Sequence, residues 1–72
     1  MTNKAKLEDL ITKSGLKKTF IAESLGISRQ AFLNKINNKS LFTSEEIDTL
    51  CKMLNVKSLT EKEKIFFAKG VI

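Results

Sequence analysis

The sequence has no histidine, no proline and a single cysteine. Histidine is the commonest general base and metal ligand, and nothing replaces it here. There are no paired carboxylates, no phosphate-cradling glycine loop and no cluster of metal-ligand residues. The expectation is a protein that is not an enzyme and takes no cofactor, metal or small-molecule ligand. One cysteine forms no internal disulfide. Cys51 stands in line with Ile47, Leu50 and Leu54 and reads as a small buried apolar residue. Long apolar runs are also missing. The longest, Ile65-Phe66-Phe67-Ala68, is far too short to cross a bilayer. Leu7, Leu10 and Ile11 are separated by polar residues, so no secretory leader is read. A cytoplasmic, nucleoid-associated protein without a membrane partner is expected. With no linker or low-complexity tract, the 72 residues make one domain, 1–72, with a small core.

What is present is basic charge, unevenly placed. The formal net charge is +5. Residues 1–40 hold eight Lys or Arg and three acids, whereas residues 41–72 hold five of each. The excess therefore lies in the N-terminal half, the footprint expected for a polyanionic partner.

Apolar residues recur at helical spacing, and no segment alternates with period two for long, so the chain is all-α with five short helices. The first covers 4–13, opened by Thr2 or Asn3 and stopped at Ser14-Gly15. The second covers 18–25 and ends at Gly26. A third spans 28–37, capped by Ser28, with Phe32 and Ile36 one turn apart. Thr43-Ser44-Glu45-Glu46 is a capping box that opens a fourth helix, ending near Asn55. Thr60-Glu61-Lys62-Glu63 reads as a second such box, opening a helix to about Lys69.

Residues 18–37 carry the function. Two short helices joined by a tight glycine turn make a helix-turn-helix unit. Ala22 is small where the helices cross, Gly26 accepts the left-handed turn, and Ile21, Leu25, Ile27, Phe32 and Ile36 wedge the pair apart at a fixed angle. With Phe32 and Ile36 inward, the other side of the third helix carries groups that read base edges. Ser28, Arg29, Gln30, Leu33 and Asn34 are the candidate base readers. Arginine can pair bidentately with guanine and an amide with adenine, and Leu33 suits a thymine methyl. The alternative is an ordinary solvated face. Lys18, Thr19, Lys35, Asn37, Lys39 and Ser40 flank this face as candidate phosphate ligands. Asn38 reads instead as a left-handed cap.

The run Ile21-Ala22, Leu25-Gly26-Ile27-Ser28-Arg29-Gln30 and Asn34-Lys35-Ile36-Asn37-Asn38-Lys39-Ser40 resembles phage repressor and Cro-like DNA-binding domains. That resemblance covers nearly the whole chain. It implies a five-helix, lambda-repressor-like domain with its helix-turn-helix at the second and third helices, binding double-stranded operator DNA. The chain looks most like the small regulators that sit opposite the lysogeny repressor in temperate phages of Gram-positive bacteria. It is also similar in size to the modulator-of-repression proteins, which antagonise a repressor by protein contact. Two positions depart from the pattern. Lys17-Lys18 stand where relatives often open the helix with Ser, Thr or Gln, and Lys35 stands where relatives often bury an apolar residue. Ile36 takes over that burial, which implies a slightly rotated recognition helix.

Ile65, Phe66, Phe67, Val71 and Ile72 offer more apolar surface than one face of a short helix can bury. They are the candidate partner surface, for a homodimer or for the cognate phage repressor. Two readings follow: a sequence-specific transcriptional regulator with residues 28–37 in the major groove, or an anti-repressor whose main ligand is the repressor protein.

Overall fold

The computed structural model describes residues 1–68. They form five helices and no strand: α1 Lys4–Ser14, α2 Lys18–Leu25, α3 Arg29–Ile36, α4 Ser44–Met53 and α5 Leu59–Phe66. Most begin where a side-chain oxygen satisfies an otherwise orphaned backbone N–H. Asn3, rather than Thr2, caps α1. Ser28 caps α3, accepting from Ala31 N–H at 3.0 Å. Thr43 and Glu46 complete the expected reciprocal capping box of α4. The α5 cap is Ser58, not Thr60; the helix starts two residues earlier than the T-x-x-E pattern suggested and stops at Phe66. Only α2 has no side-chain cap, because Lys17 stands at that position.

Gly26 ends α2 with φ +75°, and a Cβ there would meet nothing within 4 Å. The turn, not crowding, requires glycine at this point. Asn38 and Asn55 adopt the same left-handed region, with φ +63° and +61°. Asparagine tolerates that conformation better than most side chains.

The core is one cluster drawn from all five helices. Leu7, Ile21, Phe32, Ile36, Leu50 and Ile65 are its fully buried large side chains, and the small Ala22 is buried with them. Phe42, in the α3–α4 loop, joins Phe32 to Phe66 by edge-to-face contacts, with centroid distances of 6.1 and 5.6 Å. α2 lies against both α3 and α4, and α1 lies against α5. Residues 1–3 run extended between the loop after α3 and the end of α5. Asn38 accepts from Thr2 N–H at 2.8 Å and donates to Thr2 C=O at 2.9 Å, and Asn3 N–H donates to Ile65 C=O at 2.6 Å.

This arrangement corrects the reading of the C-terminal apolar residues. Ile65 and Phe66 are interior, 0% and 4% exposed, so they are not a partner surface. Phe67 is 52% exposed and remains available. Val71 and Ile72 lie outside the described residues. Ile65 and Phe66 are covered because residues 1–3 and Phe42 close over α5, pairings remote in sequence that helical spacing does not reveal.

Candidate nucleic-acid interface

The α3 helix is held between the core and solvent by two buried anchors, Phe32 and Ile36. Arg29 and Gln30 are exposed in the first turn, and Leu33 and Asn34 are half-buried one turn on, with Gln30 and Asn34 on the side opposite the two anchors. Leu33 stands apart from the core cluster. Gln30 Nε2 donates to Asn34 Oδ1 at 3.0 Å, so the two amides are ordered against each other along the helix. Each keeps further donor and acceptor capacity for a base edge. Ser28 spends an acceptor lone pair on its cap and retains its hydroxyl proton for donation.

Around this face, Thr19 is exposed at the start of α2, and Asn37, Lys39 and Ser40 are exposed after α3. The Lys39 N–H turns back to Asn34 C=O at 2.8 Å, which shapes the loop. Lys18 is half-buried and paired with Glu8 of α1 at 2.8 Å. Its ammonium must share or leave that carboxylate to meet a phosphate. Glu8→Gln is therefore expected to raise non-selective DNA affinity at low salt by roughly two- to fivefold. A salt-titrated fluorescence anisotropy series measures this; unchanged binding at every salt would mean that Lys18 does not meet the backbone.

Lys35 is a correction. Its ammonium is not presented to solvent but lies 2.5 Å from Glu46 Oε1 on α4, with the two side chains only 14% and 11% exposed. The same oxygen accepts from Thr43 N–H at 2.8 Å. An apolar residue suits this inward position, and a lysine persists there because a carboxylate awaits it. Burial alone would push the Glu46 carboxyl up. The Lys35 ammonium and the Thr43 bonds outweigh it and hold the carboxyl below the ordinary range. Lys35 is thus removed from the phosphate ligands, and Glu46, which sequence reasoning treated only as a cap, becomes part of the site's support.

Other apolar positions were unforeseen. Phe20 on α2 and Leu41 after α3 are exposed. Phe67 and Leu59 line an open cleft with Asn3, Lys6 and Lys64. Cys51 is interior, and burial pushes its thiol up, as suits an inert core residue.

The helix pair, its glycine turn and its polar outer face have the geometry of a DNA-reading unit. The family model of the Cro/C1-type HTH DNA-binding domain matches residues 6–61. The chain belongs to this family. The match runs from within α1 into α5 and includes the whole of α2 and α3. No curated protein and no solved structure matches the chain. A Cro/C1-type domain is a sequence-specific DNA-binding module, and no helix among the described residues is long and apolar enough to cross a membrane.

Proposed function

We propose that this Cro/C1-type protein is a transcriptional regulator in a phage lysis–lysogeny switch, its α3 helix lying in the major groove of a double-stranded operator. The observation that carries the DNA-reading half is the outer face of α3. Arg29, Gln30 and Asn34 project from a helix whose N-terminus is capped by Ser28 and open to solvent. That end of a recognition helix is the one that reaches base edges. Ser28 and Leu33 complete the reading face, with Lys18, Thr19, Asn37, Lys39 and Ser40 on the phosphates. The phage-switch half rests on the resemblance of residues 21–40 to small lytic regulators. The whole chain acts as one domain in the bacterial cytoplasm, where its DNA is.

The backbone of the described residues spans 29 × 25 × 21 Å. One copy is shorter than a turn of DNA, about 34 Å, so reading two half-sites takes a homodimer. Arg29→Ala is expected to weaken operator binding by about 1–3 kcal/mol and to relax preference at one base pair. Binding of that variant to operator and scrambled DNA as the parent binds them would remove Arg29 from the readers.

A second reading is favoured by one observation. Leu59 and Phe67 are 68% and 52% exposed beside the same cleft, apolar surface suited to a protein partner. In that reading the chain is an anti-repressor that binds the cognate repressor. Titration against DNA from its own genetic neighbourhood, with and without the neighbouring repressor and at two salt concentrations, separates the two. Tight, selective binding by the protein alone supports the regulator. Weak, non-selective binding with release of repressor from its operator supports the anti-repressor.

A further inference from the structure

We propose that Glu46, which lies outside the helix-turn-helix, is a specificity-determining positioning residue: through Lys35 it sets the roll of α3 and so decides which bases Arg29, Gln30 and Asn34 meet. This rests on the DNA-reading function proposed above. The core anchors of α3, Phe32 and Ile36, hold the helix by apolar packing, which fixes its place against α2 but adds no hydrogen-bond direction on its flank. Lys35 is different. It leaves α3 on the flank beside that buried stripe and ends at a single oxygen of Glu46. That oxygen is itself fixed, since it accepts from Thr43 N–H while Thr43 Oγ1 accepts from Glu46 N–H at 3.1 Å. The capping box of α4 is thus a rigid post, and Lys35 is the stay that runs from it to the recognition helix.

The magnitudes make a roll consequential. Side-chain ends lie about 5–6 Å from a helix axis. A roll of about 20° moves them by roughly 2 Å, whereas hydrogen-bond distances span only about 0.5 Å. Such a rotation carries Gln30 and Asn34 off their base edges. An ion pair this buried adds little net stability over apolar residues of similar volume, but it is directional, and direction is what a reading helix needs.

The test is the double variant Lys35→Met/Glu46→Leu, which replaces the stay with non-directional contact. Its thermal unfolding should remain cooperative, below that of the parent by the lost Thr43–Glu46 cap bond but well above that of Glu46→Ala, since no ammonium is left stranded. The ratio of affinities for the parent's selected site and for scrambled DNA should fall by about tenfold or more. The salt slope should not change, because no phosphate contact is lost. Glu46→Gln, which retains a cap acceptor and the side-chain shape, is the companion variant and should lose selectivity in the same direction. An unchanged affinity ratio in both variants overturns the proposal, as does a salt-slope decrease of about one in the double variant, which would make Lys35 a phosphate ligand. Backbone amide shifts recorded without DNA separate this failure from failure of the functional reading. Besides local changes at the substituted residues and the α4 cap, shifts reaching Arg29 and Gln30 at the far end of α3 are expected even if no operator is found, and an unshifted first turn of α3 would again overturn the proposal.

Discussion

Phe32→Ala is expected to leave the chain largely unfolded at physiological temperature. Phe32 is fully buried and meets Phe42 edge-to-face, which in turn meets Phe66. Removing a buried phenyl ring costs about 3–5 kcal/mol, part of it for the cavity left behind. A domain of this length has only about 4–11 kcal/mol to lose. At about 4–8 °C per kcal/mol, the midpoint should fall by roughly 12–40 °C. Circular dichroism during heating measures it directly. A cooperative transition within a few degrees of the parent would mean that α3 is held by something other than this aromatic chain.

Glu46→Ala should be nearly as severe, by a different route. It strands the Lys35 ammonium in a largely buried site and opens the capping box of α4. Breaking a buried pair on one side typically costs about 3–5 kcal/mol. Acid should expose the same group in the parent. The folded state holds the Glu46 carboxyl below its ordinary value. The stability it contributes is therefore complete above the unfolded value and is lost as pH falls through the folded one. Parent and variant should differ most near neutrality and converge in acid. Denaturant midpoints across that range measure the gap; a gap independent of pH would show that the carboxylate's charge is not what stabilises this corner.

The elements legible in the sequence were those that local chemistry determines. Five helices, the Ser28 and Thr43 caps, the Gly26 turn and the left-handed Asn38 all follow from residues within a turn of one another. The failures share a cause. Lys35 and Glu46 are eleven positions apart, and neither residue's periodicity says that they meet. The burial of Ile65 and Phe66 depends on residues from the opposite end of the chain. Ser58 displaced Thr60 because both offer a hydroxyl with an acid nearby, and the loop after α4 decides which one arrives at the cap. On α3 itself, the wheel puts Gln30 and Asn34 opposite Phe32 and Ile36, while their mutual pairing needed rotamers.

Residues 1–3 have a kinetic consequence. The bonds that tie Thr2 to Asn38, Asn3 to Ile65 and Met1 to Ala68 join positions from 36 to more than 60 apart. Contacts of that separation must overcome loop-closure entropy before they return any energy, so they belong to the late part of folding, after the local helix pair has formed. What forms late opens early. The extended segment is the place where the native state can breathe without losing its core, and the loop it releases is the one that leads out of the recognition helix.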